Sequence, residues 1–155
     1  MKARAGVGGV FHIQHIRDGR VIDERVVHNL VVNAGLAALA GLTIATGHTN
    51  AFDYIAIGTG TTAPAAANTA LQAEISTGGG ARALATLSRV TTTVTNDSAQ
   101  LVKTFTFTSS FAVTEAGVFD SSAAGTMLCR QTFTAINVVN TDTLAVTYTV
   151  TYVAA

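Results

Sequence analysis

The chain of 155 residues carries nine Lys and Arg against nine Asp and Glu, a formal net charge of zero at pH 7. That balance excludes the basic field of a nucleic-acid binder and gives no electrostatic hold on an anionic membrane. Only 12% of residues are charged while 48% are hydrophobic, so Thr and Ala fill positions where a monomer would carry Lys or Glu, and the surface suits contact with other protein.

The length predicts one domain with a core of ordinary size. Residues 1–9, MKARAGVGG, read as a flexible N-terminal arm with two cations, Lys2 and Arg4. They lack the apolar stretch of a signal peptide. Residues 10–155 read as a single β-rich domain. Five basic residues fall in the first 25 positions, but Asp18, Asp23 and Glu24 lie among Arg17, Arg20 and Arg25. A solvated strand surface is the expectation there, not a binding arm.

In GVFHIQHIRDGRVIDERVVHNL two alternating runs flank Asp18-Gly19. This pair predicts a β-hairpin closed by a type I′ turn. Asn33 then caps a predicted short helix through AGLAALAGL, ending near Gly41 or Gly47. The surrounding stretch LVVNAGLAALAGLTIA is too short and too interrupted to cross a membrane. FDYIAIG predicts a strand, Gly58 and Gly60 a turn, and NTALQAEI a second short helix capped by Asn68. Gly78-Gly79-Gly80 predicts a flexible break.

From there the pattern has period two, in ALATLSRVTTTVT, AQLVKTFTFTS, TEAGVFD, TMLCRQTFT and TLAVTYTVTY. The last sends Leu144, Val146, Tyr148, Val150 and Tyr152 to one face and Thr143, Thr147, Thr149 and Thr151 to the other. Asn96-Asp97 and Ser121–Gly125 are predicted turns. The fold expected is mainly β, a β-rich α+β chain: an antiparallel β-sandwich or jelly-roll-like domain with one or two short helices.

Gly58, Gly60 and Ala63 match a loose dinucleotide fingerprint, but Pro64 and a run of alanines stand where the phosphate-binding helix should start. No Gly-Lys-Ser/Thr follows. His12 and His15, three apart on a strand, point to opposite faces and cannot share a metal. His28 and His48 complete no ligand set. Cys129, the single cysteine, forms no internal disulfide and reads as a small buried side chain. No nucleophile elbow occurs, and the acids Glu74, Glu115 and Asp120 are scattered singly. The expectation is a protein without cofactor or catalytic site.

Three stretches stand in a notable order: Asn29–Leu36, NLVVNAGL, before the helix; Tyr54–Thr61, YIAIGTGT, before TALQAE; and Thr114–Asp120, TEAGVFD, before GTML. This order resembles a broad group of tailed-bacteriophage virion proteins, assigned to capsid decoration (head cement) or to tail and fibre components. The resemblance implies a virion structural protein. It favours a homotrimeric decoration protein that is made in the host cytoplasm, sits on the capsid exterior and stabilises the major capsid protein lattice. Lys2 and Arg4 would then contact capsid or a neighbouring subunit. A tail, baseplate or fibre-attachment subunit is the alternative, and a carbohydrate-binding adhesin the third reading. The same resemblance makes TEAGVFD a core strand in which Gly117 permits close backbone packing. A buried Glu115 would need a partner, for which Arg82 or Arg89 is the candidate.

Overall fold

The computed structural model describes residues 7–152. Lys2 and Arg4, the candidates for capsid or subunit contact, lie outside the described residues. Strand β1 (Val7–Arg17) already includes Val7, Gly8 and Gly9, so three positions of the expected arm belong to a sheet. It turns back into β2 (Arg20–His28). Asp18 (φ 49°) and Gly19 (φ 74°) are both left-handed, as a type I′ turn requires.

After β2 come β3 (Leu30–Val31), α1 (Asn33–Ile44), β4 (Tyr54–Gly58), β5 (Ala83–Leu84) and β6 (Thr86–Val90), then β7 (Ser98–Thr106), β8 (Phe111–Phe119), β9 (Met127–Val138) and β10 (Thr143–Tyr152). Two five-stranded sheets result, ordered β2-β1-β10-β7-β6 and β3-β9-β8-β4-β5. Every strand pair is antiparallel. The fold is therefore the β-sandwich that the alternation predicts.

Both edges are joined by the chain itself. Asn29 alone separates β2 in the first sheet from β3 in the second, and Ala85 alone separates β5 from β6. Strands that bend from one layer to the other form the corners of the sandwich. Between the layers, Phe11, Ile13, Leu101, Phe105 and Tyr148 pack against Ile55, Ile57, Val118, Leu128 and Ile136. On β10 the inward residues Leu144, Val146, Tyr148 and Val150 are buried, whereas Tyr152 is half exposed. A second cluster of Val32, Ala56, Leu71, Phe119 and Met127 joins the 59–82 connection and the start of α1 to the second sheet. In consequence Val113–Phe119 of β8 is buried on both faces.

Three local expectations change. NTALQAEI is not helical, because its amides have distant partners: Gln72 and Ala73 donate to Glu115, and Ile75 donates to Ile57 O. Asn68 instead accepts from Ala65 N–H within this turn. Only one helix is present among the described residues. In α1 the boundary residue is Val32, with no side-chain cap, while Asn33 donates its N–H to Ala66 O. The helix ends at Ala45 in the left-handed region. Finally, β6 stops at Val90 because Asp97 gathers the N–H groups of Thr92, Thr93 and Val94 into a turn. Those bonds, that of Val94 foremost, hold the Asp97 carboxyl below the usual range.

Candidate assembly surface

The glycine-threonine loop after β4 does turn around an anion, and the protein supplies it. Glu115 of β8 is fully buried, and its Oε1 accepts the N–H groups of Gly60 (3.1 Å) and Ala73 (2.7 Å). Its Oε2 accepts Gln72 N–H (3.0 Å) and Arg130 Nε (2.8 Å). Arg130, itself buried, donates onward to Asn68 Oδ1 and Thr62 O. Thr114 Oγ1 donates to Gly60 O. A Cβ at Gly60 would stand 2.5 Å from Glu115 Oε1, so glycine is required for this approach.

The ion-pair partner of Glu115 is thus Arg130, and neither Arg82 nor Arg89. Register explains the choice: in the β8–β9 hairpin Gly117 lies opposite Arg130, and Glu115 is two residues from Gly117 on the same face. Arg82 instead pairs with Glu74 (2.7 Å), donates to Ser121 O and Ala124 O, and lies 3.6 Å over the centroid of the Phe119 ring. Arg89 is exposed on the edge strand β6. Sequence reasoning missed Arg130; the hairpin spacing between TEAGVFD and TMLCRQTFT is the signal that could have found it.

The other polar clusters also fasten structure. His15 Nε2 donates to Asp142 Oδ2 (2.7 Å), and Arg17 holds the same carboxylate with two bonds of 2.8 and 2.7 Å. His12 pairs with exposed Glu24, while His48 stacks on Phe52. Among the described residues no group of three or more His, Cys, Asp or Glu stands where it could hold a metal. Burial pushes the Cys129 thiol up to about 12, which leaves no thiolate at neutral pH. Among the described residues no helix is long and apolar enough to cross a membrane.

Asp142 yields a prediction. The hydrogen bond from Arg17 above all, helped by His15 and Val139 N–H, holds its carboxyl well below the usual range. A depressed folded-state value means that its stabilisation is complete above about pH 4, the ordinary aspartate value, and is lost as pH falls through the lower one. Asp142→Asn is expected to cost about 1–3 kcal/mol at pH 7. In urea titrations at pH 7, 4 and 2 the gap between wild type and variant should narrow with acid.

The surface least suited to water lies elsewhere. Helix α1, NAGLAALAGLTI, carries no charged residue. It buries Gly35, Ala38 and Gly41, and leaves Leu36 at 48%, Leu42 at 36% and Ile44 at 70% exposure. A helix apolar on every side belongs inside a core, yet this one has an open face. Val7 and Tyr152 continue its apolar surface from the ends of β1 and β10. Toward β6 the surface descends into a cleft of about 580 Å³ between Leu39, Leu42, Phe52 and Leu87, with Tyr148 also lining it. An exposed apolar area of this kind is a candidate interaction surface.

No family model, no curated protein and no solved structure matches the chain.

Proposed function

We propose that this chain is a structural subunit of a tailed-bacteriophage virion, and specifically a capsid decoration protein that binds the outside of the major-capsid lattice as a homotrimer. The order of NLVVNAGL, YIAIGTGT and TEAGVFD supports the virion assignment. The observation that carries an assembly role is the open face of α1: twelve residues without a charge, three of their large side chains turned to solvent. A protein that binds only the assembled shell stabilises it by mass action, in proportion to its concentration over its dissociation constant.

Two substitutions on that face test the reading. Leu36→Glu with Ile44→Glu is expected to leave the melting temperature nearly unchanged, since exposed positions away from special features shift stability by about 0.5 kcal/mol or less. Binding to purified capsids should fall at least 100-fold, because two buried charges would meet an apolar contact. Full occupancy by the double variant would remove α1 from the interface. Imaging the intact particle with the chain labelled distinguishes the sites: many copies over the head support decoration, and a few copies at the tail support an attachment subunit.

A further inference from the structure

The cleft beside α1 lies on the inward side of the first sheet. Residues directly opposite each other in adjacent strands share a face. Leu87 of β6 therefore stands in one row with Leu101 and Tyr148, and Arg89 in the next with Ala99 and Val150. Toward the centre of the sheet these inward side chains are covered, with Leu101 and Val150 each 4% exposed. At the β6 edge they are not. Leu87 is 49% exposed and Arg89 is open to solvent, because the cleft of about 580 Å³ faces them. The result is a trough with an apolar floor, Leu101, Leu128 and Val150, and a cation at its rim. Arg89 is the one charged residue that lines it among the described residues. Arg17, Arg25, Arg82 and Arg130 each pair with a carboxylate, whereas Arg89 has no such partner among the described residues.

We propose that the trough binds a fatty acid, with the carboxylate on the Arg89 guanidinium and the alkyl chain lying over Ala99 toward Val150. Both parts of the ligand are required. A wholly apolar molecule would bury part of the Arg89 cation without a partner, and a small anion would leave the apolar floor in water. The planar guanidinium matches a carboxylate with two parallel hydrogen bonds. Ala99, a small side chain between Arg89 and Val150, leaves room for the alkyl chain. An extended peptide fits the site less well. The floor side chains offer its backbone no hydrogen bond, and an inward-pointing charge on an edge strand discourages addition of a further strand. The volume falls within the roughly 300–1,000 Å³ of small-molecule sites. Binding depends on this cleft alone and is independent of a virion role.

Isothermal titration of the full chain with sodium decanoate, and with decanol as the uncharged ligand of the same tail, tests the proposal. Decanoate should saturate one site, and decanol should bind at least about 10-fold more weakly, the effect of a hydrogen-bonded charge. Arg89→Gln, an exposed change, should weaken decanoate by about 10-fold or more and leave decanol unaltered. Leu42→Asp on the opposite wall, a position already 36% exposed, should weaken both ligands. Leu87→Asp serves in its place if far-ultraviolet circular dichroism shows that the helix variant does not fold. Absence of saturable decanoate binding would overturn the proposal. So would wild-type affinity for decanoate in Arg89→Gln, or equal wild-type affinity for decanoate and decanol. A mass in light scattering that rises with concentration in wild type but not in Leu42→Asp, with no decanoate bound, would overturn it in favour of a second copy as the occupant.

Discussion

Replacing Glu115 by alanine is expected to lower the unfolding free energy by about 3–5 kcal/mol, the cost of stranding one member of a buried ion pair. At this chain length that corresponds to a fall in melting temperature of roughly 6–20 °C. Arg130 would keep only its bonds to Asn68 and Thr62, and the N–H groups of Gly60, Gln72 and Ala73 would lose their acceptor. Glu115→Gln should be milder because one amide oxygen still accepts. An apolar pair, Glu115→Leu with Arg130→Met, often rescues a simple buried salt bridge. Here it should not, since three backbone donors remain unsatisfied. Urea denaturation gives the stability, and faster amide exchange at Gly60, Gln72 and Ala73 would locate the damage. A wild-type melting curve for the alanine variant would show that the loop holds without the clamp.

Gly79→Ala is expected to cost about 2–5 kcal/mol, from two sources. The residue has φ +86°, a conformation that costs an L side chain about 1–2 kcal/mol. A Cβ there would also lie 1.9 Å from Thr106 O, so the backbone must move, at a typical overpacking cost of about 1–3 kcal/mol. Gly47→Ala separates the two. Its φ is +80° but its Cβ would meet nothing within 4 Å, so thermal melts should show a loss of only about 1 kcal/mol. Equal losses at both positions would mean that the contact with Thr106 relaxes freely.

The triple glycine shows why part of the architecture was not legible in the sequence. Three consecutive glycines predict freedom, but Gly78 O accepts Thr108 N–H and Gly79 rests against the Thr106 backbone. The reason for glycine is a close approach supplied by a strand nearly thirty residues away. NTALQAEI fails as a helix for the same kind of reason, because Glu115 takes its amides from a separation of 42–43 residues. The Asp18-Gly19 hairpin and the alternation of β10 were legible because turn geometry and side-chain period are local properties. The chemistry of Glu115 was half legible: an acid in an apolar strand signals a buried partner, while choosing among arginines needs the β8–β9 register. The α1 face was visible as an uncharged stretch, but its exposure depends on which side Gly35 and Gly41 turn inward.

The order of the first sheet also constrains the life of the chain before it is folded. Strand β10 lies between β1 and β7, so the first hairpin made has no inner neighbour until the last ten-residue strand exists. At a synthesis rate of about 5–20 residues per second, β1 waits roughly 7–27 seconds for it. Throughout that interval the apolar face of the hairpin, Phe11 and Ile13 included, has no strand beside it to complete the sheet. A chain released early, without β10, would leave both β1 and β7 as open edges, which makes the final ten residues of the sandwich the step that commits the whole protein to its solvent-stable form.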